Sequence, residues 1–250
     1  MPRKRLDVVL VERGLFESRA KAQAAIEAGG VTVAGRPARR ASEMVEPDVV
    51  MEAAPAHPWV GRGALKLAYA LDLWPIDAAG RTVLDLGAST GGFTEVCLAR
   101  GAGRVFAVDV GRNQLHPRVG SDSRVVDLQG IDARDLPDMD AAIDLVVCDV
   151  SFISLEKALH SALAIAAPGA DLVALVKPQF EVGPAGVGKG GVVRDARAQQ
   201  AALEGVERFL GASGWKVRGH AESPILGGDG NREWLVWATK PWSPMPYSTT

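Results

Sequence analysis

Cysteine is almost absent. The chain has two in 250 residues, Cys97 and Cys148, each inside an apolar run and neither at a metal-ligand spacing. That excludes a disulfide scaffold and predicts two buried free thiols in a reducing, cytoplasmic compartment. No apolar run approaches the ~18–20 residues needed to cross a bilayer, so no membrane partner is expected. The basic start Pro2-Arg3-Lys4-Arg5 lacks the apolar stretch that follows it in a secretory signal. A large excess of one charge is missing too, since the net is −2. What charge there is lies unevenly: residues 1–40 hold nine Lys/Arg against four Asp/Glu. A basic end on an acidic body suits polyanion binding, and a solvated helix face would look the same. Internal repeats and low-complexity segments are also lacking.

With 47% hydrophobic residues, the chain has ample material for one large or two small cores. Residues 5–14 and 18–29 read as short helices, with Ser18 at an N-cap position and Gly14 and Gly29-Gly30 at the ends. Strand patterns follow at 31–36 and 48–51, and the proline-bearing stretch 53–58 reads as a linker. From about residue 64 the pattern changes. Apolar strand candidates at 81–88, 104–110, 124–128, 144–150, 171–177, 215–221 and 233–239 are interleaved with helix-length stretches at 92–100, 154–166 and 194–212. Near-continuous apolar runs such as Leu172-Val173-Ala174-Leu175-Val176 indicate burial on both faces. The expected architecture is a doubly wound, Rossmann-like α/β sheet of seven strands behind a small α+β domain. The expected boundaries are 1–53 for the small domain, 54–62 for a linker, 63–241 for the sheet domain and 242–250 for a tail.

The run Asp85-Leu86-Gly87-Ala88-Ser89-Thr90-Gly91-Gly92-Phe93 reads as a strand end, a small-residue turn and a helix start. Such a turn lets backbone approach a ligand, with free amides at the helix N-terminus facing it. Asp109 closes the next strand, 22 positions after Gly87, where a ribose-binding carboxylate is expected. Three ligand chemistries compete. A dinucleotide site would need Gly-x-Gly-x-x-Gly, whereas this turn is Gly-x-Ser-x-Gly-Gly, and Asp85 sits badly beside a pyrophosphate. A neutral-to-cationic nucleoside such as S-adenosylmethionine suits that carboxylate better. Gly87-Ala88-Ser89-Thr90-Gly91 also fits a hydrolase nucleophile elbow, with His220 late enough to complete a triad. Gly183-Pro184-Ala185-Gly186-Val187-Gly188-Lys189 fits a phosphate loop, except that Gly190 replaces the magnesium-holding Ser/Thr.

Four further residues stand out: Lys66, Asp149 after a fully apolar strand, Lys177 at the end of the next, and Glu233 before the last. Two lysines set among carboxylates are equipment for taking a proton from a hydroxyl. A lysine is ordinarily protonated at neutral pH, so the base needs burial and a neighbouring cation such as Lys177, with Asp149 and Glu233 orienting the amines. Each residue alone has a bland reading: a solvent-facing helix lysine, a strand-end ion pair, a surface glutamate.

The runs Val60-Gly61-Arg62-Gly63-Ala64-Leu65-Lys66-Leu67, Asp85 to Thr94, Cys148-Asp149-Val150-Ser151-Phe152-Ile153-Ser154-Leu155, Lys177-Pro178-Gln179-Phe180-Glu181 and Gly188 to Asp195 resemble FtsJ-like methyltransferases. Within these they are most similar to the TlyA (haemolysin A-like) family of ribosomal RNA methyltransferases. Residues 5–52 resemble the S4-type RNA-binding module. The resemblance implies S-adenosylmethionine as cofactor, no metal, ribosomal RNA or ribosomal subunits as partner, and 2′-O-methylation of a cytidine ribose. It implies catalytic roles for Lys66, Asp149, Lys177 and Glu233. It implies cofactor contacts at Asp85, Gly87, Ala88, Ser89, Gly91, Gly92, Phe93, Asp109 and, on the adenine side, Asp132, where the family pattern has asparagine. The run Asp109 to Pro117 also departs from the family's commoner glycine- and tryptophan-containing version. RNA phosphates are expected on Arg3, Lys4, Arg5, Arg19, Lys21, Arg36, Arg39, Arg40 and Arg62. The alternatives are a non-catalytic RNA-binding or ribosome-assembly factor, or the haemolytic activity of the family name. Oligomeric state is not legible.

Overall fold

The computed structural model describes residues 2–242, and the expected tail lies, beyond Trp242, outside the described residues. The chain divides into two compact units, Met1–Pro58 and Trp59–Thr250.

In the first unit, β1 (Lys4–Arg5) leads into α1 (Leu6–Glu12) and α2 (Arg19–Glu27), followed by β2 (Val31–Val33), β3 (Arg36–Pro37), β4 (Met44–Val45) and β5 (Met51–Ala53). β2 lies between β3 and β5 in an antiparallel sheet, and β1 pairs with β4. Leu6, Val9 and Leu10 of α1 pack on Ala22, Ala25 and Ile26 of α2 and on Val31. Ser18 caps α2 as its sequence position predicts, its hydroxyl accepting from Lys21 N at 3.3 Å. The strand expected at 48–51 is displaced to 51–53. Pro47 and Asp48 form a turn that returns Val49 N to Glu46 O at 3.2 Å, and this delays the strand.

In the second unit, α3 (Ala64–Leu73), β6 (Thr82–Leu86), α4 (Gly92–Ala99), β7 (Arg104–Asp109), α5 (Pro117–Gly120) and β8 (Val125–Gln129) come first. They are followed by β9 (Ile143–Cys148), α6 (Leu155–Ile165), β10 (Ala166–Val176), α7 (Pro178–Glu181), a 3-10 turn at Pro184–Gly186, α8 (Ala196–Ala212), β11 (Lys216–Glu222) and β12 (Trp234–Thr239). The seven strands β6–β12 form one mixed sheet in the order β11-β12-β10-β9-β6-β7-β8. All neighbours are parallel except β12, which runs antiparallel to both β10 and β11. Alternation along the strands builds two cores. Val83, Val105, Leu145, Val173 and Leu235 face α3 and α4, while Leu84, Phe106, Val146, Leu172 and Val236 face α6 and α8. The order in which strands are added reverses beside β6, which has β7 on one side and β9 on the other, and open α/β sheets bind ligands outside the carboxyl ends of the strands at such a point.

Candidate active site

The turn after β6 is shaped by glycine. Gly87 has φ +81°, and a Cβ there would lie 2.8 Å from the Asp149 carbonyl oxygen, so only glycine fits between the ends of β6 and β9. Ser89 N donates to Asp109 Oδ2 at 2.8 Å and Gly111 N to Oδ1 at 2.7 Å. Asp109 thus fastens the turn to the end of β7 and keeps a lone pair free on each oxygen. Asp85 is fully buried. Thr94 Oγ donates to its Oδ2 at 2.6 Å, but Oδ1 has no donor. Burial first, then the nearby Asp149 and Asp109 carboxylates, push Asp85 up to about 7. A buried acceptor without a donor costs about 1–3 kcal/mol.

Two ion pairs stand at the same edge of the sheet. Lys66, 6% exposed on α3, donates to Glu233 Oε2 at 2.6 Å, and Glu233 is 2% exposed. Lys177, at the end of β10, lies 2.6 Å from Asp149 Oδ1 and donates to Ser151 Oγ at 2.9 Å. A Cβ on Gly63, the residue before α3, would meet Asp149 Oδ2 at 3.2 Å. The first turn of α3 therefore brings Lys66 to the Asp149 side of the sheet. A Cβ on Gly227 would meet Glu233 Oε1 at 2.4 Å, so a side chain there would displace the Glu233 carboxylate.

A cleft of about 950 Å³ runs along this edge, lined by Gly87, Ser89, Asp109, Ile131, Asp132, Ala133, Asp149, Ser151, Phe152 and Gln179 among others. Phe152 is 91% exposed in a left-handed conformation at φ +66°, its ring 5.2 Å from that of Phe180. Such an exposed ring contributes little to packing.

A family model for FtsJ-like methyltransferases matches residues 59–240, and one for the S4 domain matches residues 4–50. A Mycobacterium tuberculosis protein, 16S/23S rRNA (cytidine-2′-O)-methyltransferase TlyA, is 46% identical over 94% of this chain and 89% of its own. The chain belongs to the TlyA family of FtsJ-like methyltransferases. A solved Streptococcus thermophilus structure, provisionally named a hemolysin, shares 37% identity at a TM-score of 0.76 over 100% of this chain and 93% of that one. An S-adenosylmethionine-dependent methyltransferase structure from Listeria monocytogenes, at 14% identity and a TM-score of 0.55 over 72% of this chain and 99% of that one, shares the fold.

In this FtsJ-like frame the hydrolase and phosphate-loop readings fail on geometry. Ser89 follows β6 while His220 lies on edge strand β11, with β12, β10 and β9 between, roughly 19 Å away at ~4.8 Å per strand. His220 pairs instead with Glu207 at 2.7 Å. The Gly183–Lys189 stretch includes a 3-10 turn, and the next α-helix, α8, starts only at Ala196, capped by Asp195. No helix N-terminus therefore faces a phosphate there.

Of the nine cofactor residues expected of a TlyA-family member, Gly87, Ser89, Asp109 and Asp132 line the cleft, and fully buried Asp85 does not. Phe93 belongs to the core under α3, and Gly91 and Gly92 are pressed against Leu115, Val119 and Ala64. These, like buried Ala88, shape the turn from behind. Asp132 is held by Arg134 at 2.6 Å, which lowers it to about 2. Among the cations, Arg3 pairs with Glu46, Lys4 with Glu12, Arg5 and Arg19 with Asp7, and Lys21 with Glu17. Arg36, Arg39 and Arg40 are exposed, with no carboxylate partner among the described residues. Arg62 is exposed and reaches Leu226 O at 3.3 Å. Thr94, Ser151, Phe152 and Asn231 were not singled out from sequence. The only signal was that the first three lie within the motif runs and Asn231 stands two residues before Glu233. Among the described residues no helix is long and apolar enough to cross a membrane, and no His/Cys/Asp/Glu group is arranged to hold a metal.

Proposed function

We propose that this chain transfers the methyl group of S-adenosylmethionine to the 2′-hydroxyl of a cytidine ribose in ribosomal RNA, acting in the cytoplasm. The observation that carries it is the pair of short lysine–carboxylate contacts, Lys66–Glu233 and Lys177–Asp149, at the sheet edge beside the glycine turn. Bound there, the cofactor supplies an electrophilic methyl on a sulfonium. The donorless Asp85 Oδ1 fits its cationic end, and the free lone pairs of Asp109 fit its ribose hydroxyls. Ile131 and Ala133 offer the adenine an apolar wall, with Asp132 at its rim.

With its own proton passed to the Glu233 carboxylate across the 2.6 Å contact, the neutral Lys66 amine takes the proton of the acceptor hydroxyl, and Glu233 fixes the direction of its Nζ. Lys177, held by Asp149 and Ser151, orients that hydroxyl. Phe152 gives the acceptor base a ring to stack on, worth about 1–3 kcal/mol. In the S4 unit, Arg36, Arg39 and Arg40 supply the phosphate contacts that hold the enzyme on RNA.

The test is transfer of labelled methyl from S-adenosylmethionine to isolated small and large ribosomal subunits lacking the modification, both being named for the M. tuberculosis relative. Transfer that is abolished in Lys66→Ala supports the reading. RNA binding without any transfer by the wild-type chain would instead make it a binding factor on a methyltransferase fold.

A further inference from the structure

The segment that carries Glu233 is anchored through one buried side chain. Asn231 is 1% exposed, and both ends of its amide are used. Its Oδ1 accepts from Val193 N at 2.9 Å and its Nδ2 donates to Gly191 O at 2.9 Å. Both partners lie in the glycine-rich loop 183–194, where Gly183, Gly190 and Gly191 have φ of +71°, +79° and +77°. Among the described residues, one other side chain hydrogen-bonds to the loop, Gln199 Nε2 to Val193 O at 2.6 Å, and the loop's remaining bonds, such as Gly188 N to Val192 O at 3.1 Å, lie within it. The backbone of Asn231 acts in the other direction. Its carbonyl accepts from Gly227 N at 2.9 Å, and Gly230 N closes on Gly227 O at 3.0 Å. This turn presses Gly227 against the Glu233 carboxylate, whose other oxygen holds Lys66.

We infer that Asn231 is a positioning residue that couples the glycine-rich loop beside the cleft to the Lys66–Glu233 pair. The inference rests on the proposed role of that pair. Gly183 and Pro184 of the loop line the cleft, so the loop's placement and the turn behind Glu233 are tied together by one residue, through its amide on one side and its backbone carbonyl on the other. Without the amide, a loop rich in left-handed glycines has many conformations to sample, and the backbone turn packed behind Glu233 loses its tie to that loop.

A double-mutant cycle tests this in the full chain, with rates normalised to sites that bind S-adenosylmethionine, so that unfolded protein does not count. Asn231→Ala is expected to lower the single-turnover rate roughly 30-fold while leaving cofactor affinity within about twofold. In a Glu233→Ala background the same change is expected to cost less than about threefold, because the group it acts through is gone. Should Asn231→Ala fold poorly, Asn231→Asp carries the cycle, since it keeps the acceptor for Val193 N and loses the donor to Gly191 O. Equal, multiplying losses in both backgrounds, or no loss from either substitution, overturn the coupling. No loss from Glu233→Ala alone overturns the underlying reading of the pair instead.

Discussion

Lys66 and Glu233, 167 positions apart, meet in a buried contact of 2.6 Å. Removing one member of such a pair leaves the other charge unpaired and costs about 3–5 kcal/mol, whereas replacing both with apolar groups of similar volume is often neutral. Lys66→Ala should therefore lose activity and also melt several degrees lower. Lys66→Met with Glu233→Leu should be equally inactive but melt close to wild type. Thermal melts beside methyl-transfer assays separate the two effects. A double variant as unstable as the single one would show that the pair is needed for the fold as well as the reaction.

Asp85 titrates at about 7, raised chiefly by burial. Because its folded value lies above its unfolded one, it lowers stability progressively as pH rises from about 4 to about 7. A cation bound against its free oxygen favours the ionised form. Cofactor binding should therefore release a proton and tighten as pH rises from 6 to 7.5. Calorimetry in buffers of different ionisation enthalpy measures both quantities. Asp85→Asn should bind more weakly and lose this dependence. An unchanged pH dependence in that variant would place the titrating group elsewhere.

All seven strands of the large sheet were legible because apolar runs bounded by turns admit few other readings. Their order was not, since β11 and β12 carry no local mark of an antiparallel return, and the short strands of the first unit were blurred by turns such as Pro47-Asp48. The candidate site was legible where chemistry forces residue type, as at Gly87, Asp109 and the four charged residues that the fold brings to one end of the sheet. It was opaque where ordinary polar residues act through contact. Ser151 and Asn231 look like loop residues until Lys177 and the 191–193 backbone are brought to them. The burial of Lys66 was likewise invisible, since a helix lysine is by default solvated.

Asp7 is a buried carboxylate in the first turn of α1, hydrogen-bonded by Arg5, Arg19 and Gln23. The Arg5 guanidinium is the largest of the influences that hold it well below the usual carboxylate range near 4. A depressed value means that its stabilisation is present above the unfolded value and lost as pH falls through the folded one. Hydrogen exchange of α1 and α2 should show protection steady through neutral pH and falling in acid, below about 4. Asp7→Asn should lower protection at neutral pH and flatten the acid dependence. Unaltered protection in that variant would mean that the Asp7 cluster contributes nothing to the first unit.

The pairing pattern of the basic residues makes a prediction about RNA. A cation already paired with a carboxylate must give up that partner to reach a phosphate, while an unpaired one need not. Arg3, Lys4 and Lys21 each have a glutamate within 2.9 Å, and Arg36, Arg39 and Arg40 have none among the described residues. Each phosphate contact contributes about 0.7–0.9 to the slope of log affinity against log salt. Replacing Arg36, Arg39 and Arg40 with alanine should reduce that slope by about 2–3 and weaken binding to ribosomal RNA most at low salt. Replacing Arg3, Lys4 and Lys21 should change it by less than about one. Affinity titrations over a salt series measure both slopes, and the reverse ranking would move the RNA face to Arg3, Lys4 and Lys21.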